Sequence, residues 1–153
     1  MRFVRTIGSF ALGAAAVVFT GAVLQQPAQP QQQSEVQYIG NGRFLSNAVR
    51  VGNTLYLSGQ LGTSGERGIA PETKAALERI KTLLEGNGSH MDDVVKCTVF
   101  LADFAEWGAM NEVYTTYFTK HRPARSAVAV SGMASDARVE IECMAVIGAR
   151  NAS

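Results

Sequence analysis

RPARSAVAVSGMASDARVEIE, residues 122–142, is the stretch whose reading decides the fold of this chain. It contains a short apolar strand opened by Pro123-Ala124-Arg125, then a polar turn, then a second strand that carries acids. Arg125 is the only basic residue of the first strand. Glu140 and Glu142 point the same way in the second, because side chains alternate along a strand. A guanidinium facing a carboxylate would hold a small anion beside a proton-transfer group. The plainer reading is a structural ion pair between Arg125 and Glu140 across the sheet.

Upstream of this block, residues 103–120 read as a helix with Met110, Val113, Tyr114, Tyr117 and Phe118 as its apolar stripe. Residues 92–101 read as a strand, with Val95, Cys97, Val99 and Leu101 sharing one face. A first helix is expected over 71–85, with Pro71 in its first turn and Gly86 as its stop. Residues 37–39, 44–51 and 54–58 read as strands, the last two joined by a Gly52-Asn53 turn. The loop 59–68 is rich in glycine but has no phosphate-binding motif. The order implies an α+β fold: a mixed six-stranded sheet with two helices on one face. Its other face would carry Lys96, Thr98, Phe100, Glu140, Glu142 and Met144, a mixture suited to contact with other subunits.

The 153 residues suit one domain plus an appendage, and a net charge of +1 offers no basic surface for nucleic acid. The histidines, His90 and His121, lie far apart, and no CxxC or HExxH occurs, so a metal site has little support. Cys97 and Cys143 sit in core-facing register, where buried free thiols are the default. A Cys97–Cys143 disulfide becomes an alternative if the domain is exported. Trp107 is expected to serve packing, His90 to be solvated, and Glu142 to be a solvated or interface acid.

The N-terminus has a different character. Arg2 and Arg5 precede an uncharged apolar run over 7–24, followed by a stretch rich in Gln and Pro. This is the layout of an export signal, and the run also reaches the length of a membrane-spanning helix. Residues 1–24 are therefore expected to be a cleaved signal peptide or an N-terminal membrane anchor. Residues 25–34 would be a linker, and 35–150 the domain. By the positive-inside rule the domain would lie outside, periplasmic or held at the outer side of the inner membrane.

Several further segments carry a family resemblance. Residues 52–60, GNTLYLSGQ, look like the first long strand and Ser-Gly-Gln corner of the RidA family of reactive intermediate deaminases, also called YjgF-like proteins. Residues 83–88 and 92–96 resemble that family's helix exit and next strand, and Asn111 through Tyr117-Phe118 its second helix. Pro123-Ala124-Arg125-Ser126, with Glu140 downstream, is similar to its signature.

The resemblance implies a homotrimer of chorismate-mutase-like fold with a site at each subunit interface and no cofactor. The substrate would be an enamine or imino acid such as 2-iminopropanoate, hydrolysed to a 2-keto acid and ammonia. Arg125 would bind the substrate carboxylate and Glu140 would handle the attacking water. Ser58 and Gly59 would line the cleft with backbone groups, Ala127 would offer its carbonyl, and Asn111 belongs to the same motif. Two positions depart from the family pattern: Leu45 stands where many members have tyrosine, and Ala127 where many have cysteine. The loop from His121 to Pro123 is also shorter. The alternative function is a non-catalytic trimeric binding module for small carboxylates.

Overall fold

The computed structural model describes residues 35–151, apart from 41 and 64, so the leader and linker readings for 1–34 lie outside the described residues. Seven strands and two long helices follow one another: β1 (Val36–Ile39), β2 (Ala48–Val51), β3 (Thr54–Leu57), β4 (Gln60–Leu61), α1 (Ile69–Glu85), β5 (Val94–Leu101), α2 (Trp107–Tyr117), β6 (Ala124–Ala129) and β7 (Val139–Val146). They form one sheet in the order β1-β2-β3-β7-β5-β6, with β4 also paired to β7. Only β5 and β6 run parallel, and α2 supplies the crossover between them.

The strand over 54–58 and the start of the glycine loop form one lane along β7. Thr54 faces Val146 and Tyr56 faces Met144, but Gln60 faces Ile141. One extra residue is accommodated around Ser58-Gly59, a bulge that turns the expected six strands into seven. A second irregularity, between Val94 and Lys96, corrects the expected face of β5. Val94 enters the core and Val95 is left exposed, while Cys97, Val99 and Leu101 keep their register. Residues 44–47 are not strand: β2 begins at Ala48, and residues 42–47 lie outside any strand or helix.

Ala76, Leu77, Ile80 and Leu84 of α1 recur on one helical face and are fully buried. With Met110 and Tyr114 of α2 they pack on Leu55, Val99, Ile141 and Ala145 of the sheet. Truncating Ile80 there would cost about 2–5 kcal/mol. The turn after α1 reaches the left-handed region at Gly88 (φ 76), not at Gly86 (φ −63). There the Ser89 N–H donates to the Leu84 carbonyl at 2.9 Å. The opposite sheet face has no helix among the described residues. It carries a row of Tyr38, Val49, Tyr56, Met144 and Lys96 in direct register.

Candidate functional site

The bulge between β3 and β4 builds the first half of the site. Ser58 is fixed on every side: its N–H donates to the Asn47 carbonyl at 3.0 Å and its hydroxyl to the Ser46 carbonyl at 2.6 Å. Its own carbonyl accepts from the Gln60 side chain at 2.9 Å. These bonds hold the following residue, Gly59, directly against the Glu140 carboxylate, so a side-chain carbon on Gly59 would collide with that carboxylate. Glu140 lies between Phe100 and Leu61 on the face away from the helices, half-buried. It has no ion-pair or side-chain hydrogen-bond partner among the described residues.

The second half lies on the other face. Arg125 is registered beside Cys97, and parallel neighbours point the same way, so its side chain leaves on the helix side. There its guanidinium carbon sits 4.5 Å from the centre of the Tyr114 ring, a cation–π contact. Arg125 too has no carboxylate partner among the described residues. Tyr114 is buried, its hydroxyl has no hydrogen-bond partner among the described residues, and burial pushes its pKa up to about 12 against the opposing pull of Arg125. Ala127, beside Val99, continues the same line half-buried, and Asn111 precedes Tyr114 by three residues on α2.

This placement corrects the idea that Arg125 and Glu140 face one another. Within a protomer they leave opposite faces of the sheet, on strands separated by β5. The simple ion pair across the sheet is excluded for the same reason. The chain itself brings together Gly59 with Glu140, and Arg125 with Tyr114 and Ala127, but not the two groups.

The expectation of free thiols is revised as well. Cys97 and Cys143 are directly opposed across β5 and β7, with Cα atoms 4.1 Å apart, and form a disulfide instead of free thiols. Trp107 stacks on Phe104 at 6.4 Å between ring centres and stays 43% exposed, so its packing is a surface contact. Glu142 is exposed opposite Thr98 and His90 is exposed in its turn. No group of three or more metal-binding side chains occurs among the described residues.

Sequence reading passed over Glu72 and Asp93, and placed Tyr114 in an apolar stripe without its contact to Arg125. Two buried carboxylates and a tyrosine shelf depend on long-range partners, and the only local hint was an acid in the first turn of α1.

Comparison with known proteins agrees with this architecture. The Endoribonuclease L-PSP family model matches residues 37–147. A RutC family protein of Pyrococcus abyssi is 46% identical over 77 residues, which is 50% of this chain and 61% of that protein. The rat protein named 2-iminobutanoate/2-iminopropanoate deaminase is 43% identical over 80 residues, 52% of this chain and 58% of that one. These matches thus span about three-fifths of the curated relatives' length. A YjgF family protein from Neisseria meningitidis superposes with a TM-score of 0.70 at 29% identity, covering 74% of this chain and 96% of that one. An endoribonuclease-like structure from Thermotoga maritima is 39% identical at a TM-score of 0.63, covering 76% and 94%. The chain belongs to the RidA/YjgF/L-PSP family.

Proposed function

We propose that this protein hydrolyses reactive imine and enamine intermediates of amino acids to a 2-keto acid and ammonia, at a seam between the subunits of a homotrimer. One observation carries the reading. Arg125 and Glu140 are charged, without ionic partners among the described residues, and set on opposite faces of one sheet. A second copy whose Glu140 approaches the first copy's Arg125 gives both charges a purpose, with the ligand between them. The open sheet face, with Tyr38 72% and Tyr56 45% exposed, supplies apolar area for such assembly.

The chemistry follows from the residue types. Arg125 grips the substrate carboxylate through two parallel N–H donors of its planar guanidinium, which the Tyr114 ring holds in place by its cation–π contact. Glu140, set against Gly59, orients a water and accepts its proton as the water oxygen bonds to the imine carbon. The C=N π pair moves to nitrogen and the same carboxyl returns the proton there, which gives a carbinolamine. The carboxyl then takes the hydroxyl proton and passes it to the amine nitrogen, so that the C=O bond forms as the C–N bond breaks and ammonia leaves. Ser58 works as the tether of Gly59, since its N–H and hydroxyl are already engaged. Ala127 and Asn111 flank the Arg125 half. No metal or other cofactor enters this sequence of steps. The near-neutral charge gives little pull on a phosphate backbone, which sets RNA cleavage behind imine hydrolysis.

Residues 1–24 as an export signal or anchor, 25–34 as a linker and 35–150 as an exported domain complete the reading. The Cys97–Cys143 disulfide supports it, because such bonds persist in oxidising compartments. The second reading, a trimeric module that binds small carboxylates without turnover, is favoured by Leu45, 58% exposed where a tyrosine hydroxyl is common in relatives, and by Ala127.

Ammonia release from freshly generated 2-iminopropanoate separates the two, with Glu140→Gln as the comparison. Parent turnover that falls roughly 10²-fold in the variant supports catalysis. A parent that binds pyruvate but never exceeds the buffer rate would establish the binding module. A monomer at micromolar concentration by native mass spectrometry would remove the seam altogether.

A further inference from the structure

We propose that Glu72, a carboxylate buried in the first turn of α1, is a positioning residue that holds Glu140 against Gly59. The inference rests on the imine hydrolysis proposed above. Glu72 is fully buried, yet three donors converge on it. Its Oε2 accepts from the Arg138 backbone N–H at 2.8 Å, and its Oε1 from the Gly68 N–H at 3.3 Å. The same Oε1 pairs with the Arg67 Nε at 3.1 Å.

These partners bracket the segment that carries Glu140. Arg138 immediately precedes β7, and Glu140 is the second residue of that strand. On the neighbouring lane Leu61 is the residue paired with Glu140, and the next residue, Gly62, packs against the Glu72 backbone so closely that a side chain there would collide with it. One residue of α1 therefore touches both strand ends that frame Glu140. Its partner Arg67 also donates to the carbonyls of Ser135 (3.4 Å) and Asp136. Those two residues adopt left-handed backbone, with φ of 58° and 49°, in the loop leading from Arg125 to Glu140. The Arg138 side chain is forked onto Glu106 at 2.7–2.9 Å.

A carboxylate is suited to this place because both of its oxygens only accept. A glutamine has one accepting oxygen, and its NH₂ would face a donor. An apolar residue here would leave three donors unpaired, two of them backbone N–H groups. What the carboxylate adds is a fixed register of backbone N–H groups, and the strand ends it fixes are those of the Glu140 lane.

The test uses the full chain with Glu72→Gln, Glu140→Gln and the double variant. Glu72→Gln should keep the oligomeric state and bind pyruvate within about two-fold of the parent, because the Arg125 half is untouched, while kcat falls about 10-fold. The double variant should be no slower than Glu140→Gln, because Glu72 acts through Glu140. In ¹³C-glutamate-labelled protein the Glu140 carboxyl resonance should shift in Glu72→Gln. An unchanged kcat, a binding loss parallel to the kcat loss, or losses that multiply in the double variant would each overturn the proposal. If the parent shows no hydrolysis, the imine reading fails on its own, and the Glu140 resonance still decides: if it does not move, Glu72 has no positioning role. Should Glu72→Gln not fold, Arg67→Gln removes one donor from a half-exposed position, and the same resonance must move there.

Discussion

Replacing Gly59 with alanine should disable the site while sparing the fold. Gly59 is not among the residues with positive φ, so its backbone accepts an L side chain. The obstacle is Glu140. An added methyl would stand 2.7 Å from the Glu140 Cδ and 3.0 Å from its Cγ, closer still to the carboxylate oxygen. Carbon atoms rest about 3.5–4.0 Å apart, so the carboxyl carbon must retreat by about 1 Å. The obstructing atoms are the end of a flexible, half-buried side chain, and moving it to a poorer rotamer costs only about 0.5–1.5 kcal/mol. Misplacement of a reacting group by about 1 Å can cost roughly 10²-fold in rate. We therefore predict that Gly59→Ala loses about 10²-fold in kcat for imine hydrolysis while its urea midpoint moves little. Carboxylate binding at Arg125, measured by calorimetry with pyruvate, should persist. Hydrolysis at the parent rate in a folded Gly59→Ala protein would refute the role given to the Glu140–Gly59 contact. A stability loss of several kcal/mol would show that the bulge, and not the carboxylate, bears the contact.

Arg125→Lys should weaken pyruvate binding by 10-fold or more, because an ammonium cannot form the two-donor fork; unchanged affinity by calorimetry would contradict the anchor role. Replacing Cys97 and Cys143 together with alanine should lower unfolding free energy by about 4 kcal/mol, since the bond closes a separation of 46 residues; denaturation of the two proteins in urea measures it. For Asp93, burial alone would raise the carboxyl pKa, but hydrogen bonds from the Arg150 N–H and Ser89 and the Arg150 guanidinium outweigh it and hold it below the ordinary 3.8. A depressed folded value stabilises above the unfolded value and is lost as pH falls through the folded one. The stability gap between the parent and Asp93→Asn should thus be full above about pH 4 and close below it; a gap independent of pH from 6 to 2 would contradict this.

The periodicity of the chain alone determined the elements. Val99, Leu101, Ile141 and Cys143 fall at alternate positions of their strands, and Leu77, Ile80 and Leu84 recur at helical spacing, so burial follows from local pattern. Gly52-Asn53 marked its hairpin, and the 122–142 block located Arg125 and Glu140 on adjacent sequence strands. Which faces they occupy was decided only by pairing. β6 joins the sheet parallel to β5 while β7 inserts between β3 and β5, so strands adjacent in sequence are separated in space. One extra residue at Ser58-Gly59 and another at Val95 shift the alternation, and a bulge leaves no signature in composition because it depends on the partner strand. The burial of Glu72 was equally invisible, since its partners Arg67 and Arg138 lie on either side of it in sequence, and Arg138 is 66 residues away. Local pattern sets which residues are strand or helix, because it acts through backbone geometry and burial over a few residues. The site is set by contacts between residues distant in sequence, and those exist only once the sheet has closed.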